Sequence, residues 1–245
     1  MTGVYDIADQ CIQINSLHGS IHQLCQLYRT DSIPDFEISI TLSDIDYERG
    51  DANSKKTADG QKNRAFSDAY LETLAVYRKI AERMPAYDTF LFHGSAIAVD
   101  GKAYIFTAKS GTGKSTHARL WREMLGDRAV MVNDDKPLIR VHPDGAATVY
   151  GTPWDGKHHL SANIAVPVKA ICILERAQEN HIREITKAEA LPMLLQQAYR
   201  PADPAALDKT LMLIDRMAVK LYRLGCNMER NAAEISYNAM KEVEP

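Results

Sequence analysis

The densest chemistry in the chain lies in AKSGTGKST, residues 108 to 116. A glycine-rich turn running into Lys-Ser is what a phosphate-binding loop requires. Consecutive backbone N–H groups curl around a phosphate, and the positive end of the following helix adds to their field. Ser110, Gly111, Thr112 and Gly113 form the turn, and Lys114 carries the charge that reaches the outer phosphates. Ser115 offers a hydroxyl to a magnesium ion, and Thr116 follows it in the first helical turn. The flanks agree: YIFTA reads as a strand running into the loop, STHARLWREML as a helix leaving it, and Gly126 as that helix's stop. Ala108 stands where the pattern asks for glycine, and a methyl group is tolerable there only with negative φ. These residues point to a nucleotide-phosphate site, with ATP and Mg2+ as the cofactors.

A P-loop serves GTPases, ATPases, transporters and small-molecule kinases alike, so it does not name a reaction. Two further features narrow the choice. His93-Gly94 precedes the hairpin that delivers the loop, and VMVNDDKPLI places Asp134 and Asp135 at the end of the next strand. An Asp-Asp pair on a strand edge can also be structural, capping a turn through its own backbone.

With those features the chain resembles the HPr kinase/phosphorylase family, bacterial enzymes that phosphorylate a serine of a carrier protein. The resemblance covers residues 90 to about 140 and, more loosely, to about 185. That family has a His-Gly opening the hairpin, a Gly-x-Ser-Gly-x-Gly-Lys-Ser loop and a strand ending in Asp-Asp. Here HG stands at 93, AKSGTGKS at 108 and DD at 134, with His93 21 residues before Lys114. The resemblance implies a P-loop domain of the type shared with phosphoenolpyruvate carboxykinases. It also implies roles. Asp135 is the base that takes the acceptor hydroxyl's proton, Asp134 assists it or holds metal with Ser115, and His93 lies beside the γ-phosphate and orients the aspartate.

Departures from that family are local. It carries a glutamate and an arginine before a glycine, where this chain has Thr148 and Tyr150 before Gly151, which leaves the second metal ligand open, with Asp155 as one candidate substitute for the glutamate. The loop GTPWDGKHHL crowds Thr152, Trp154, Asp155, Lys157, His158 and His159 together, either as an acceptor or nucleotide contact or as an ordinary surface turn. A His-His metal site is disfavoured, because neighbours in extended chain point to opposite faces. Arg200 is a candidate phosphate clamp, with plain solvation as its alternative. The first 90 residues do not resemble the N-terminal domain of the carrier-protein kinases. More divergent relatives, associated with peptide-modifying pathways, are similar in size and layout, which admits a peptide or small-molecule hydroxyl as acceptor.

The elements that must hold these residues read as follows. FEISITL (36–42) alternates strictly and is a half-buried strand; YDIADQCIQI before it is a strand and residues 18–29 a short helix. Residues 43–66 are strongly polar and read as a long loop, either a lid or a bare linker. Ser67 then caps a helix whose stripe is Tyr70, Leu74, Tyr77, Ala81 and Met84. Beyond residue 88 come strands joined by tight turns, among them Asp100-Gly101 and Pro143-Asp144-Gly145, with KAICILER and HIREI as later strands. Helices are expected over 187–198, 203–218 and about 230–242. So many hairpins do not suit a doubly wound parallel sheet. The expected fold is α/β (α+β): a mixed, largely antiparallel sheet with a P-loop and flanking helices, plus a small N-terminal β-α-β unit. Two domains are expected, 1–88 and 89–245.

Composition bounds the function. A chain of 245 residues with 45% apolar and 25% charged residues is ordinary for a globular protein. A net charge of −3 gives no electrostatic footprint for nucleic acid. Cys11, Cys25, Cys172 and Cys226 form no CxxC pair, which argues for free thiols over zinc or a disulfide framework. The start lacks an apolar signal core, and no apolar run nears the ~20 residues needed to span a bilayer. A cytoplasmic location with no membrane partner is therefore expected. The reading is a Mg-ATP-dependent kinase that transfers the γ-phosphoryl group to a Ser/Thr-type or small-molecule hydroxyl. The alternative is a catalytically inactive nucleotide-sensing protein, with Ala108 and the missing Glu-Arg as marks of a decayed site. A carboxykinase-like decarboxylase needs basic and metal-binding residues that have no place here. The acceptor's identity, and whether the chain forms a homo-oligomer, are left open.

Overall fold

The computed structural model describes residues 1–58 and 66–241. They fall into two compact units, Met1–Arg83 and Met84–Pro245.

The first unit opens with β1 (Thr2–Asp6) and β2 (Cys11–Asn15), paired antiparallel. One strand was expected over YDIADQCIQI, but Ala8 and Asp9 both take left-handed φ and Ile7 and Gln10 exchange backbone hydrogen bonds across them. That is the geometry of a tight two-residue hairpin, which follows the strand twist. After α1 (Ser20–Leu24), β3 (Phe36–Ser39) pairs parallel with β2, completing a β-α-β crossover. Phe36 and Ile38 point inward and Glu37 and Ser39 outward, as the alternation requires.

The polar stretch expected to be a loop is largely helix, α2 (Leu42–Ala58); its remainder, 59–65, lies outside the described residues. The Asp44 carboxylate accepts from the Thr41 backbone N–H and hydroxyl, stabilising the first turn as a capping carboxylate does. Ile45 is buried, and Glu48 and Asp44 pair with Arg78 and Lys79 of α3 (Asp68–Arg83). Side-chain ion pairs replace the apolar stripe that would have marked a helix in the sequence. Ser67 caps α3, its hydroxyl accepting from the Tyr70 N–H. Of the expected stripe Ala81 and Met84 are buried, while Leu74 and Tyr77 are only half-buried. Leu71, Ala75, Val76 and Ile80 face the core, while Tyr70 is exposed. Glu72, fully buried, sits on the same face and accepts from the backbone N–H groups of Leu17 and His18. A charged residue inside the stripe rotated the apparent apolar period.

The second unit contains, in chain order, β4 (Thr89–Leu91), β5 (Ser95–Val99), β6 (Lys102–Thr107), α4 (Lys114–Leu125), β7 (Ala129–Asn133), β8 (Leu138–Val141), β9 (Ala147–Tyr150) and β10 (Ala165–Arg176). β11 (His181–Glu184), α5 (Lys187–Gln197), α6 (Pro204–Arg216), β12 (Lys220–Cys226) and α7 (Arg230–Lys241) follow. The nine strands among the described residues make one mixed sheet, ordered β4-β8-β9-β10-β6-β5-β7, with β12 pairing both β10 and β11. Only β6–β10 and β10–β12 are parallel. The β5–β6 turn at Asp100-Gly101 puts both residues at positive φ, as that dipeptide favours. β12 was not expected: KLYRLGC mixes two basic residues into its apolar pattern, and its strand form comes from pairing on both edges.

The sheet is covered on both faces, which is how a strand such as β10 can be apolar at successive positions. Ile171 and Ile173 join Ile105, Ile139 and Val149 under Leu194 of α5 and Leu213 and Ile214 of α6. Cys172 and Leu174 join Phe106 and Leu224 under Trp121 of α4 and Ala233 and Met240 of α7. Thr186 and Glu189 form a reciprocal capping box on α5, and Asp203 with Pro204 starts α6. Among the described residues the cysteines are free thiols, and no helix is long and apolar enough to cross a membrane.

Candidate active site

β6 ends at Thr107 and hands the chain to the loop. Ala108 is fully buried and is not among the residues with positive φ, so its methyl group packs where a glycine was expected without backbone strain. Gly111 and Gly113 take φ of +75° and +122°, and a Cβ at either would meet nothing within 4 Å. Backbone conformation, not space, demands glycine there. α4 begins at Lys114. Burial pulls the Lys114 ammonium below its ordinary pKa, and Asp135 and Asp134 oppose that pull. The loop lysine therefore feels both carboxylates of the pair.

The Asp-Asp turn is wired by the residue before it. Asn133, at the end of β7, is fully buried, and its Oδ1 accepts from the N–H groups of Asp135 (2.9 Å) and Lys136 (2.6 Å). Its Nδ2 donates to the Thr152 carbonyl and hydroxyl at 3.1 and 3.0 Å. The Thr152 hydroxyl in turn donates to the Lys136 carbonyl at 2.8 Å. Thr152 thus clamps this turn. Asp134 is nearly buried and accepts from the Ser95 hydroxyl at 2.7 Å.

Asp135 Oδ1 lies 3.3 Å from His93 Nε2. Burial alone would raise the Asp135 pKa, but the bond from His93 and the charges of Lys136, His93 and Lys114 outweigh it, so the carboxyl sits below its ordinary value. His93 is fixed through its backbone: its N–H donates to the Gln197 carbonyl and its carbonyl accepts from the Thr107 hydroxyl. Gly94 N–H donates to the Asp135 carbonyl, and a Cβ on Gly94 would lie 3.0 Å from the Phe106 carbonyl oxygen. The start of β5 is thereby pressed between β6 and the Asp-Asp turn.

The GTPWDGKHHL loop packs on the same turn, since a Cβ on Gly156 would lie 3.3 Å from Cβ of Asp135. Asp155 is a correction to the expected second metal ligand. It is buried, one carboxylate oxygen meets His159 Nδ1 at 2.9 Å and the other accepts from the Ser161 N–H and hydroxyl, so both oxygens serve its own loop. The two histidines diverge: His159 pairs with Asp155, while His158 turns to a cavity shared with Ser115 and Asp134. Thr148 and Tyr150, in the family's Glu-Arg positions, bond His142 and Arg140 instead. Arg200 lines a cavity between α5 and α6 that no P-loop residue lines.

Two cavities flank the start of α4, with Thr116 in the wall of both. One, of about 310 Å3, is lined by Ser115, Asp134, His158, Arg119 and Arg122. The other, of about 510 Å3, extends from Gly111 and Gly113 past His117 to Arg176 and Met228. Ser115 and Asp134 opening on one cavity suits magnesium, which is held by a hydroxyl or one to two carboxylates together with substrate phosphates. Among the described residues no group of three or more His, Cys, Asp or Glu side chains forms an all-protein metal cage. Sequence reading missed Asn133, Ser95 and Arg176. The Asn immediately before Asp-Asp was a legible turn signal, but Arg176 gave none: it reaches the loop, donating to the Gly111 carbonyl at 2.6 Å, only because β10 lies beside β6.

Comparison with solved structures finds the HPr(Ser) kinase/phosphatase from Coxiella burnetii at 12% identity, over 62% of this chain and 99% of that one, with a TM-score of 0.31. No curated protein matches. The family model described as SynChlorMet cassette protein ScmC matches residues 63–233, well over half of the chain and all of the site. The chain is therefore a member of the ScmC family of SynChlorMet cassette proteins.

Proposed function

We propose that this chain is a Mg-ATP-dependent kinase that moves the γ-phosphoryl group to a hydroxyl on a peptide, protein or small molecule. The observation that carries the reading is the Asp135 carboxylate, held below its ordinary pKa beside His93 and within electrostatic reach of Lys114. The resemblance of HG, AKSGTGKS and DD to the HPr kinase/phosphorylase pattern supports the same reading.

Phosphoryl transfer needs positioning and charge neutralisation above all. The loop N–H groups and Lys114 bind the phosphates. Ser115 Oγ and Asp134, which line one cavity, would hold magnesium, and the ion would supply further neutralisation when bound. His93 keeps Asp135 Oδ1 engaged, so Oδ2, which has no protein partner among the described residues, takes the acceptor's proton. The acceptor oxygen bonds to the γ-phosphorus as the bridging P–O bond breaks and ADP leaves.

The test is calorimetric binding of Mg-ATP to the wild type and to Lys114→Ala, followed by transfer of labelled γ-phosphate to candidate hydroxyl acceptors, with Asp135→Asn as control. Lys114-dependent binding with Asp135-dependent transfer is expected. Binding without transfer to any acceptor or to water would leave an inactive nucleotide sensor, and absent binding would overturn both.

A further inference from the structure

The opposite end of the sheet from the phosphate loop holds a cavity of about 520 Å3, between the start of β6 and the C-terminal turns of α7. Lys102 opens β6, and the phosphate loop follows Thr107 at its other end. At about 3.3 Å per residue, about 17 Å of strand separates the two. A molecule held here does not touch the loop.

Three lysines from three elements line the cavity: Lys102 of β6, Lys169 of β10 and Lys241 of α7. Lys169 is there because of a β-bulge. In an unbroken strand, positions 168 and 170 would share a face. Here Val168 pairs with Ala103 and packs on the α5–α6 side, while Ala170 pairs with Tyr104 and packs on the α4–α7 side. The extra residue between them is Lys169, which the bulge turns to the wall that Lys102 already occupies. Among the described residues none of the three ammonium groups has a carboxylate partner, and Lys241 Nζ rests over the Tyr237 ring at 5.1 Å. Asp100, the one carboxylate among the described lining residues, is taken by Arg128, which reaches both of its oxygens. Like charges gathered on a concave wall repel one another, and an anion among them turns that repulsion into attraction.

Two phenols add donors of fixed position. Tyr104 is 5% exposed, and its hydroxyl has no hydrogen-bond partner among the described residues, yet that oxygen is not closed to solvent. Burial raises its pKa, so the phenol keeps its proton, and Tyr237 and Asp100 of the same wall act on it, which puts the hydroxyl on the cavity side. The Tyr237 hydroxyl accepts from Arg128 at 2.9 Å and keeps its own proton to give. A nearly buried hydroxyl without a partner is uncommon in folded proteins and asks for an acceptor.

We propose that this cavity binds a small anion carrying two or more phosphate or carboxylate groups, held by Lys102, Lys169 and Lys241 and by hydrogen bonds from Tyr104 and Tyr237. It is a second anion site, separate from the phosphate loop and independent of the kinase reading.

The test is calorimetry with pyrophosphate and with citrate, both without magnesium and at low salt, on the full chain. Lys114→Ala weakens the loop as a competing site. Lys102→Gln with Lys169→Gln strips charge from the cavity, and Tyr104→Phe removes one hydroxyl with little change of shape. Lys187→Gln with Lys209→Gln makes the same charge change on α5 and α6, outside the cavity. Thermal melts confirm folding. Lys114→Ala is expected to bind at least one of the two anions. In that background the cavity lysine pair should cost about tenfold or more in affinity and Tyr104→Phe about tenfold, while the α5–α6 pair stays within about twofold. Tighter binding of pyrophosphate assigns the ligand to phosphates, and tighter binding of citrate assigns it to carboxylates. The proposal is overturned if neither anion binds Lys114→Ala, if the cavity pair or Tyr104→Phe leaves affinity unchanged, or if the α5–α6 pair costs as much as the cavity pair, which would be plain loss of surface charge.

Discussion

His93 and Asp135 are joined twice. Imidazole Nε2 lies 3.3 Å from carboxylate Oδ1, and the N–H of Gly94, next to His93, donates to the Asp135 carbonyl. The side-chain pair is thus held by a backbone pair between the start of β5 and the turn after β7, which fixes the carboxylate's aim without help from a substrate. Each element of this arrangement has a measurable consequence.

Asp135→Asn keeps the size and the neighbours of the side chain but cannot take a proton. Transfer should fall by about 10²- to 10⁴-fold while Mg-ATP affinity changes little. Single-turnover assays with labelled ATP alongside calorimetry separate the two. Wild-type rates in this variant would show that Asp135 is not the base.

The pH dependence follows in sign. The folded-state pKa of Asp135 is depressed, so the proposed base is ionised at neutral pH and its charge is lost only as pH falls through that low value. Removing His93 deletes the largest stabilising contact of the carboxylate and lets burial raise its pKa. In His93→Ala the acid limb of kcat/KM should therefore move to higher pH, and His93→Gln, with a donor in place of Nε2, should move it back. An unshifted limb in His93→Ala would reduce the histidine to a structural role.

Asn133→Ala strands the N–H groups of Asp135 and Lys136 and the clamp at Thr152. Loss of stability of about 2–3 kcal/mol in urea unfolding is expected, with lower turnover in the folded fraction. Asn133→Asp restores the acceptor but not the donor and should recover only part of both.

Gly151→Ala would push a methyl group into the backbone carbonyls of Ala162 and Val132. Neither is a flexible side-chain end, so a cost of about 3 kcal/mol or more is expected, seen as a lowered Tm or insoluble expression.

His117 predicts acid sensitivity. Burial depresses its pKa to about 4 from an ordinary 6.5, so the unfolded chain takes up a proton before the folded one does. This contribution is intact above pH 6.5 and is lost as pH falls towards 4, amounting to about 3 kcal/mol. Unfolding free energies at pH 7.5 and 5 should differ less in His117→Gln than in the wild type.

What could be read from the chain and what could not divide along a physical line. Contiguous backbone signals were legible: the Gly111-x-Gly113-Lys114-Ser115 turn, the Asp100-Gly101 hairpin, the Ser67 cap of α3 and the alternation read over 36–42, which holds through Ser39 and ends before the exposed Leu42 of α2, all act within a few residues. Signals that depend on a distant partner were not. α2 looked like loop because Asp44 and Glu48 are stabilised by Arg78 and Lys79 rather than by an apolar stripe. The α3 stripe was misread because Glu72 is buried by donors from residues 17 and 18. β12 is a strand because β10 and β11 pair with it.

The same division holds at the site. Sequence alone determined that a glycine-rich Lys-Ser loop, a His-Gly and an Asp-Asp pair exist, since each is a short run of residues. Only the tertiary structure decided that His93 faces Asp135, that Asp155 is consumed by His159 and Ser161, and that Arg176 rather than Arg200 reaches the loop. The reason is that hydrogen bonds and ion pairs are short-ranged. Which groups come within 3 Å is set by how β5, β6, β7 and β10 lie in the sheet, and the residue order along the chain does not record that arrangement.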